Sequence, residues 1–148
     1  MYSDPSKKIL IVEDDLTYRD PLSRALSTHA YIVSTADDGE MAMEKLLFHR
    51  PNLIILDLLL PKVHGFEVLK RIRSYPEKEI AGTPVIILSN LSSEKDVETA
   101  QALGISAYCV KSETTFDEVL EKAQTILFPQ GRTGDEEVAD FSKPEALP

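Results

Sequence analysis

Five short apolar runs, each followed by a segment long enough for a helix, constrain the fold of this chain more than any other feature. They occupy residues 9–12, 31–33, 53–56, 85–88 and 107–110. Runs this short and this uniformly apolar read as strands covered on both faces, since a strand with one face in water alternates apolar with polar. Strands alternating with helices predict a single parallel sheet, joined by right-handed crossovers, with helices packed on both sides.

The intervening segments carry helix boundaries. Thr115, Phe116, Asp117 and Glu118 match the capping box, in which a Thr hydroxyl and a Glu carboxylate each satisfy an orphan backbone N–H. Val119, Leu120, Ala123, Ile126 and Leu127 then recur as an apolar stripe. Ser93 is placed to cap a helix that ends near Leu103, with Gly104 as its stop. Val68, Leu69 and Ile72 make the inner face of a helix after Gly65. Pro21 lies inside the first helical pattern and predicts a kink there or a later start.

Composition narrows the function classes. The 148 residues suffice for one domain and a tail, and no internal repeat is visible. A formal net charge of −9 argues against a nucleic-acid or anionic-membrane partner, both of which require clustered Lys and Arg. No stretch reaches the roughly 18–20 apolar residues of a membrane span, and the first eight residues include no signal-like apolar segment. The single Cys, Cys109, excludes an intrachain disulfide and reads as a packing residue. A cytoplasmic protein is the expectation. Residues 1–7 form an N-terminal extension and residues 8–128 the globular domain. Pro129 ends the last helix, and residues 129–148, with Gly131, Gly134, Asp135, Glu136 and Glu137, are expected to be a disordered acidic tail.

The chemistry gathers where the strands stop. The first strand ends in Glu13, Asp14 and Asp15, the third in Asp57, the fourth in Ser89 and the fifth in Lys111. In open parallel sheets this carboxyl edge is where ligands bind, and in a doubly wound order the first and third strands are neighbours. Converging carboxylates repel one another unless a cation is present, and an all-oxygen set suits Mg²⁺. Taken singly, the acids could cap a helix, Ser89 could be a loop residue, and Lys111 could be merely solvated. Taken together they supply a metal site, a nucleophilic carboxylate, a hydroxyl and a cation, the equipment for phosphoryl transfer.

Those residues, with the stretches 8–15, 36–42, 53–65, 85–90 and 107–111, resemble the receiver domain of two-component response regulators. The resemblance covers residues 8 to 128. It implies a flavodoxin-like five-stranded sheet of order 2-1-3-4-5 with five helices. It implies that Asp57 is phosphorylated by a histidine kinase or a histidine phosphotransfer protein, with Mg²⁺ held by Glu13, Asp14, Asp57 and the backbone carbonyl of Leu59. Lys111 would pair with the phosphoryl group, and Ser89 would hydrogen-bond it and draw the following loop inward. Tyr108 would swing inward with Ser89, and the face built from the fourth helix, fifth strand and fifth helix would then meet an output protein. With no room for an output domain after Pro129, a stand-alone regulator is expected.

Three departures from the family's pattern stand out. Ser112 follows Lys111 where Pro is usual, and Asn90 follows Ser89 where Ala or Gly is usual. Leu59 and Leu91 flank the site where polar residues can help position a water, which predicts slow self-dephosphorylation. The departures leave room for a second reading, a docking module that no longer uses phosphate. A phosphohydrolase of the haloacid-dehalogenase type needs a second Asp two residues after the first, where Leu59 stands. His29, His49 and His64 show no ligand spacing.

Overall fold

The computed structural model describes residues 6–130. Five strands, β1 (Lys8–Val12), β2 (Ile32–Ala36), β3 (Leu53–Leu56), β4 (Val85–Ser89) and β5 (Ala107–Val110), form one sheet in the order β2-β1-β3-β4-β5. All four pairings are parallel. The helices are α1 (Leu16–Thr28), α2 (Gly39–His49), α3 (Gly65–Arg73), α4 (Lys78–Ala81), α5 (Glu94–Leu103) and α6 (Phe116–Leu127). This is the expected flavodoxin-like architecture.

Alternation along the strands divides the core in two. Leu10, Val12, Ile54, Leu56, Val85 and Ile87 point to one face, where α2, α3 and α5 bring Ala42, Leu46, Val68, Leu69, Ile72 and Ala100. Ile9, Ile11, Leu53, Ile55, Ile86 and Leu88 point to the other, against Leu22 and Leu26 of α1 and Val119, Ala123 and Leu127 of α6. The central strands are almost wholly apolar because side chains on both of their faces meet helices, while the edge strand β2 carries Ser34 and Thr35 and is only partly buried. Cys109 packs in the second layer, and burial pushes its thiol pKa up.

The expected caps form. Ser93 Oγ accepts the Asp96 N–H at 3.1 Å, and Thr115 and Glu118 close their reciprocal box. Gly104 ends α5 at φ 100°, a conformation that glycine adopts without strain. His64, unassigned in sequence, caps α3: its Nδ1 accepts the Phe66 N–H at 3.2 Å.

The structure sharpens two expectations. Pro21 does not delay α1, which starts at Leu16 because Asp15 accepts the Thr17 N–H at 3.0 Å and fixes the first turn; what Pro21 removes is one interior hydrogen bond. The five helices are joined by a sixth, α4, only four residues long, below the length at which apolar periodicity shows. The tail expected over residues 129–148 lies outside the described residues except for its first two, and most of the N-terminal extension lies outside as well.

Arg73, at the end of α3, ties this short helix down. Its guanidinium donates to the carbonyls of Ala81 (2.7 Å), Thr83 (2.8 Å) and Gly104 (3.0 and 2.8 Å). Burial holds its pKa below the ordinary arginine value. Arg73→Met leaves three carbonyls without this donor and is expected to cost about 2 kcal/mol. Urea unfolding should show a lower midpoint at unchanged slope, and a loss under about 0.5 kcal/mol, within surface-substitution scatter, would contradict this account.

Candidate functional site

Register brings the strand ends together. Val12 of β1 lies opposite Leu56 of β3, so the residues that follow, Glu13 and Asp57, emerge side by side. The Asp57 N–H donates to the Val12 carbonyl at 3.0 Å, and the Glu13 N–H to the Ala36 carbonyl at 3.0 Å. Glu13 is 3% exposed and Asp57 4%, unusual depths for carboxylates, while Asp14 faces solvent. One carboxylate oxygen from each of the three lies within 4.8 Å of the others.

The counter-charge comes from β5. Lys111 Nζ forms ion pairs with Glu13 Oε1 and, at 2.8 Å, with Asp57 Oδ2. It also lies 4.7 Å from the centroid of the Tyr18 ring, a cation–π contact. Burial by itself would lower the Lys111 pKa, but the hydrogen bonds to Asp57 and Glu13 outweigh it and the ammonium is held charged. The Glu13 pKa is raised as well, but by burial, which the hydrogen bonds from Lys111 and the Asp15 N–H only partly offset. Asp57 Oδ1 accepts the Leu59 N–H at 3.1 Å. Asp15 stays out of the cluster as the cap of α1.

The loop after Asp57 is shaped by Gly65. A Cβ on Gly65 would lie 2.4 Å from Leu58 Cα and 2.5 Å from the Asp57 carbonyl oxygen. Only glycine lets the start of α3 close against the strand end that carries Asp57. Leu59 is half exposed on this loop.

Ser89 and Tyr108 form a second group. Ser89 is fully buried at the end of β4, and its Oγ accepts the Leu91 N–H at 3.3 Å. The Tyr108 hydroxyl donates to the Leu91 carbonyl at 2.6 Å. The structure thus gathers Glu13, Asp14, Asp57 and Lys111 into direct contact range and joins Ser89 to Tyr108 through Leu91. Sequence reading missed the Tyr18 ring beneath Lys111, which no spacing rule marks, and the partnership of Arg19 with the Glu13 carbonyl (3.3 Å) and the Asp37 carboxylate.

Oxygen donors at this spacing, with three carboxylates set against one ammonium, fit a hard divalent cation. A chemistry of carboxylate nucleophile and paired cations suits transfer of a phosphoryl group.

Comparison with known proteins agrees. The model of the response regulator receiver domain family matches residues 9–124. A probable transcriptional regulator, ycf27, of Cyanophora paradoxa is 39% identical over 105 residues, which are 71% of this chain and 42% of that protein. The chain spans about half the length of the curated relatives it matches. Among solved structures, the chemotaxis protein CheY4 of Vibrio cholerae superposes with a TM-score of 0.76 at 29% identity, over 83% of this chain and 100% of its own. A CheY-like response regulator receiver domain protein of Methanospirillum hungatei gives 0.77 at 27%, over 85% and 97%. No helix among the described residues is long and apolar enough to cross a membrane. The family match begins at the first buried residue of β1, takes in the whole sheet and runs into α6, and on that ground the chain belongs to the response regulator receiver domains of two-component signalling.

Proposed function

We propose that Asp57 is the phosphoacceptor and that a histidine kinase or a histidine phosphotransfer protein is its donor. The observation that carries this reading is the Lys111 ammonium, held between Asp57 and Glu13 at the ligand-binding edge of the sheet. A carboxylate oxygen of Asp57 attacks phosphorus as the nitrogen–phosphorus bond of the donor's phosphohistidine breaks. Lys111, already charged and hydrogen-bonded to Asp57, is placed to follow the developing negative charge. Glu13, Asp14, Asp57 and the Leu59 carbonyl are the residues that would hold Mg²⁺. When bound there, the ion would neutralise charge on the phosphoryl oxygens. The chain assists a transfer to and from its own side chain and acts on no separate substrate.

We further infer that Ser89 and Tyr108 carry the signal outward. Their shared partner, Leu91, links the end of β4 to the aromatic residue of β5. The output surface on this reading is the face of α5, β5 and α6, the counterpart of the fourth-helix, fifth-strand, fifth-helix face once α4 is counted. On this reading a protein partner meets that face in the cytoplasm, and the names of two relatives, probable transcriptional regulators, support control of transcription as an output. Residues 8–128 are the receiver unit.

Incubation with acetyl phosphate and Mg²⁺ should add the mass of one phosphoryl group to the wild type and nothing to Asp57→Asn. Absence of mass gain in the wild type would favour the phosphate-independent docking module. Thermal melting tests the metal. At ten times its Kd, Mg²⁺ should stabilise by about 1.4 kcal/mol, raising Tm by roughly 3–6 °C, and Asp14→Asn should abolish most of the gain. Lifetime is the third readout. With Leu59 offering no polar group to an attacking water, the phosphorylated form should persist for minutes or longer. Leu59→Asn should shorten its half-life about tenfold, the worth of one hydrogen bond to a charged group; a wild-type half-life of seconds would sink the idea.

A further inference from the structure

Asn90 and Ser112 each follow directly on a residue of the site, Ser89 and Lys111. In sequence they are separate oddities, but in the fold they meet. The Ser112 N–H donates to Asn90 Oδ1 at 3.1 Å, across 22 residues of chain. Neither residue makes this bond without the other. Proline at 112 would have no N–H to give, and alanine at 90 no side-chain acceptor.

The two ends of the bond differ in freedom. Ser112 belongs to the 3₁₀ turn Lys111–Glu113, whose first residue has its side chain pinned by Glu13 and Asp57. Asn90 opens the loop from β4 to α5, is exposed, and carries Leu91 behind it. In the present arrangement three hydrogen bonds tie that loop down, besides the packing of Leu91 on the core: Leu91 N–H on Ser89 Oγ, Tyr108 hydroxyl on the Leu91 carbonyl, and Ser112 N–H on Asn90 Oδ1. In the first of these the buried Ser89 Oγ is the acceptor, facing the backbone of its own loop.

We propose that the Asn90–Ser112 bond is a latch that holds the β4–α5 loop at rest, which makes Asn90 a positioning residue for the engagement of Ser89 with a phosphoryl group. This rests on the reading of Asp57 as phosphoacceptor. When Ser89 turns to donate to a group on Asp57, the loop is drawn in and the Asn90 carboxamide parts from an N–H that stays anchored beside Lys111. A contact present in only one of two states biases their equilibrium by its own strength. An ordinary neutral hydrogen bond shifts the balance about three- to tenfold.

The test is a double-mutant cycle on the full chain: wild type, Asn90→Ala, Ser112→Pro and the pair together. Beryllofluoride with Mg²⁺ serves as the phosphoryl mimic, followed by tyrosine fluorescence, the chain having five Tyr and no Trp. Each single change should lower the half-saturating beryllofluoride concentration about three- to tenfold, and the pair should lower it no further. Amide hydrogen exchange without any mimic supplies the second measurement. Protection of the Ser112 N–H should be lost in Asn90→Ala and retained in Ser112→Ala, which keeps the N–H. If Asn90 acts only by crowding the phosphoryl group, Asn90→Ala has the same effect with or without Ser112→Pro, and that additive result overturns the latch. A normal wild-type response with unchanged variants overturns the latch alone. A wild type that ignores beryllofluoride overturns the reading of Asp57, and the latch's role with it.

Discussion

One ammonium set against two buried carboxylates is the constraint on which the rest of the site depends. Glu13 and Asp57 emerge side by side because β1 and β3 are adjacent and in register, and two like charges at that depth repel. Lys111 relieves the repulsion from across the sheet, two strands beyond β3. Its own burial is costly, and the carboxylates compensate it. The arrangement closes only when β1, β3 and β5 are all in place, so the electrostatics of the site and the completeness of the sheet are one property. Asp14, in water beside the pair, leaves the cluster with more negative than positive charge.

The site has two parts that touch different things. Asp57, Glu13, Asp14 and Lys111 are a chemical group, linked by ion pairs and a common ligand geometry. Ser89, Leu91 and Tyr108 are linked by hydrogen bonds that run toward α5. Along the chain the two parts come nearest at Tyr108 and Lys111, with only Cys109 and Val110 between them. Such a division lets the chemistry be shared across a family while the outward-facing part varies. In this chain the variation takes the form of a carboxamide and a backbone N–H at 90 and 112.

Much of this was legible in sequence, for reasons that can be named. The central strands β1, β3 and β4 show because they are covered on both faces and leave nearly unbroken apolar runs; the edge strand β2, with Ser34 and Thr35, is apolar only at its start and was legible only there. Asp57, Glu13 and Lys111 show because charged residues rarely end such runs in chain order at one edge. The caps at Ser93 and Thr115 show because their chemistry is local. The rest depends on residues distant in the chain. Arg73 finds carbonyls 8, 10 and 31 positions away, and no periodicity encodes that. His64 caps α3 through a ring nitrogen where Ser, Thr, Asp or Asn is the usual signal. Pro21 left a kink and a later start as alternatives, and the later start is excluded by the Asp15 cap and by Leu22 and Leu26 in the core, which a local rule for proline does not weigh. Asn90 and Ser112 were each noticed, but their meeting is a fact of the third dimension.

The reach of Arg73 has a bearing on how the β4–α5 loop is held. By holding the carbonyls of Ala81, Thr83 and Gly104, it fastens the end of α3 to the approach of β4 and to the turn before β5. One side chain thus cross-links the span from α3 to the turn after α5 at three points, so a change at residue 73 reaches all three at once. The β4–α5 loop lies between two of those points, Thr83 before β4 and Gly104 after α5. On the reading of Asp57 as phosphoacceptor, a signal raised there meets a loop whose two flanks are held by one guanidinium.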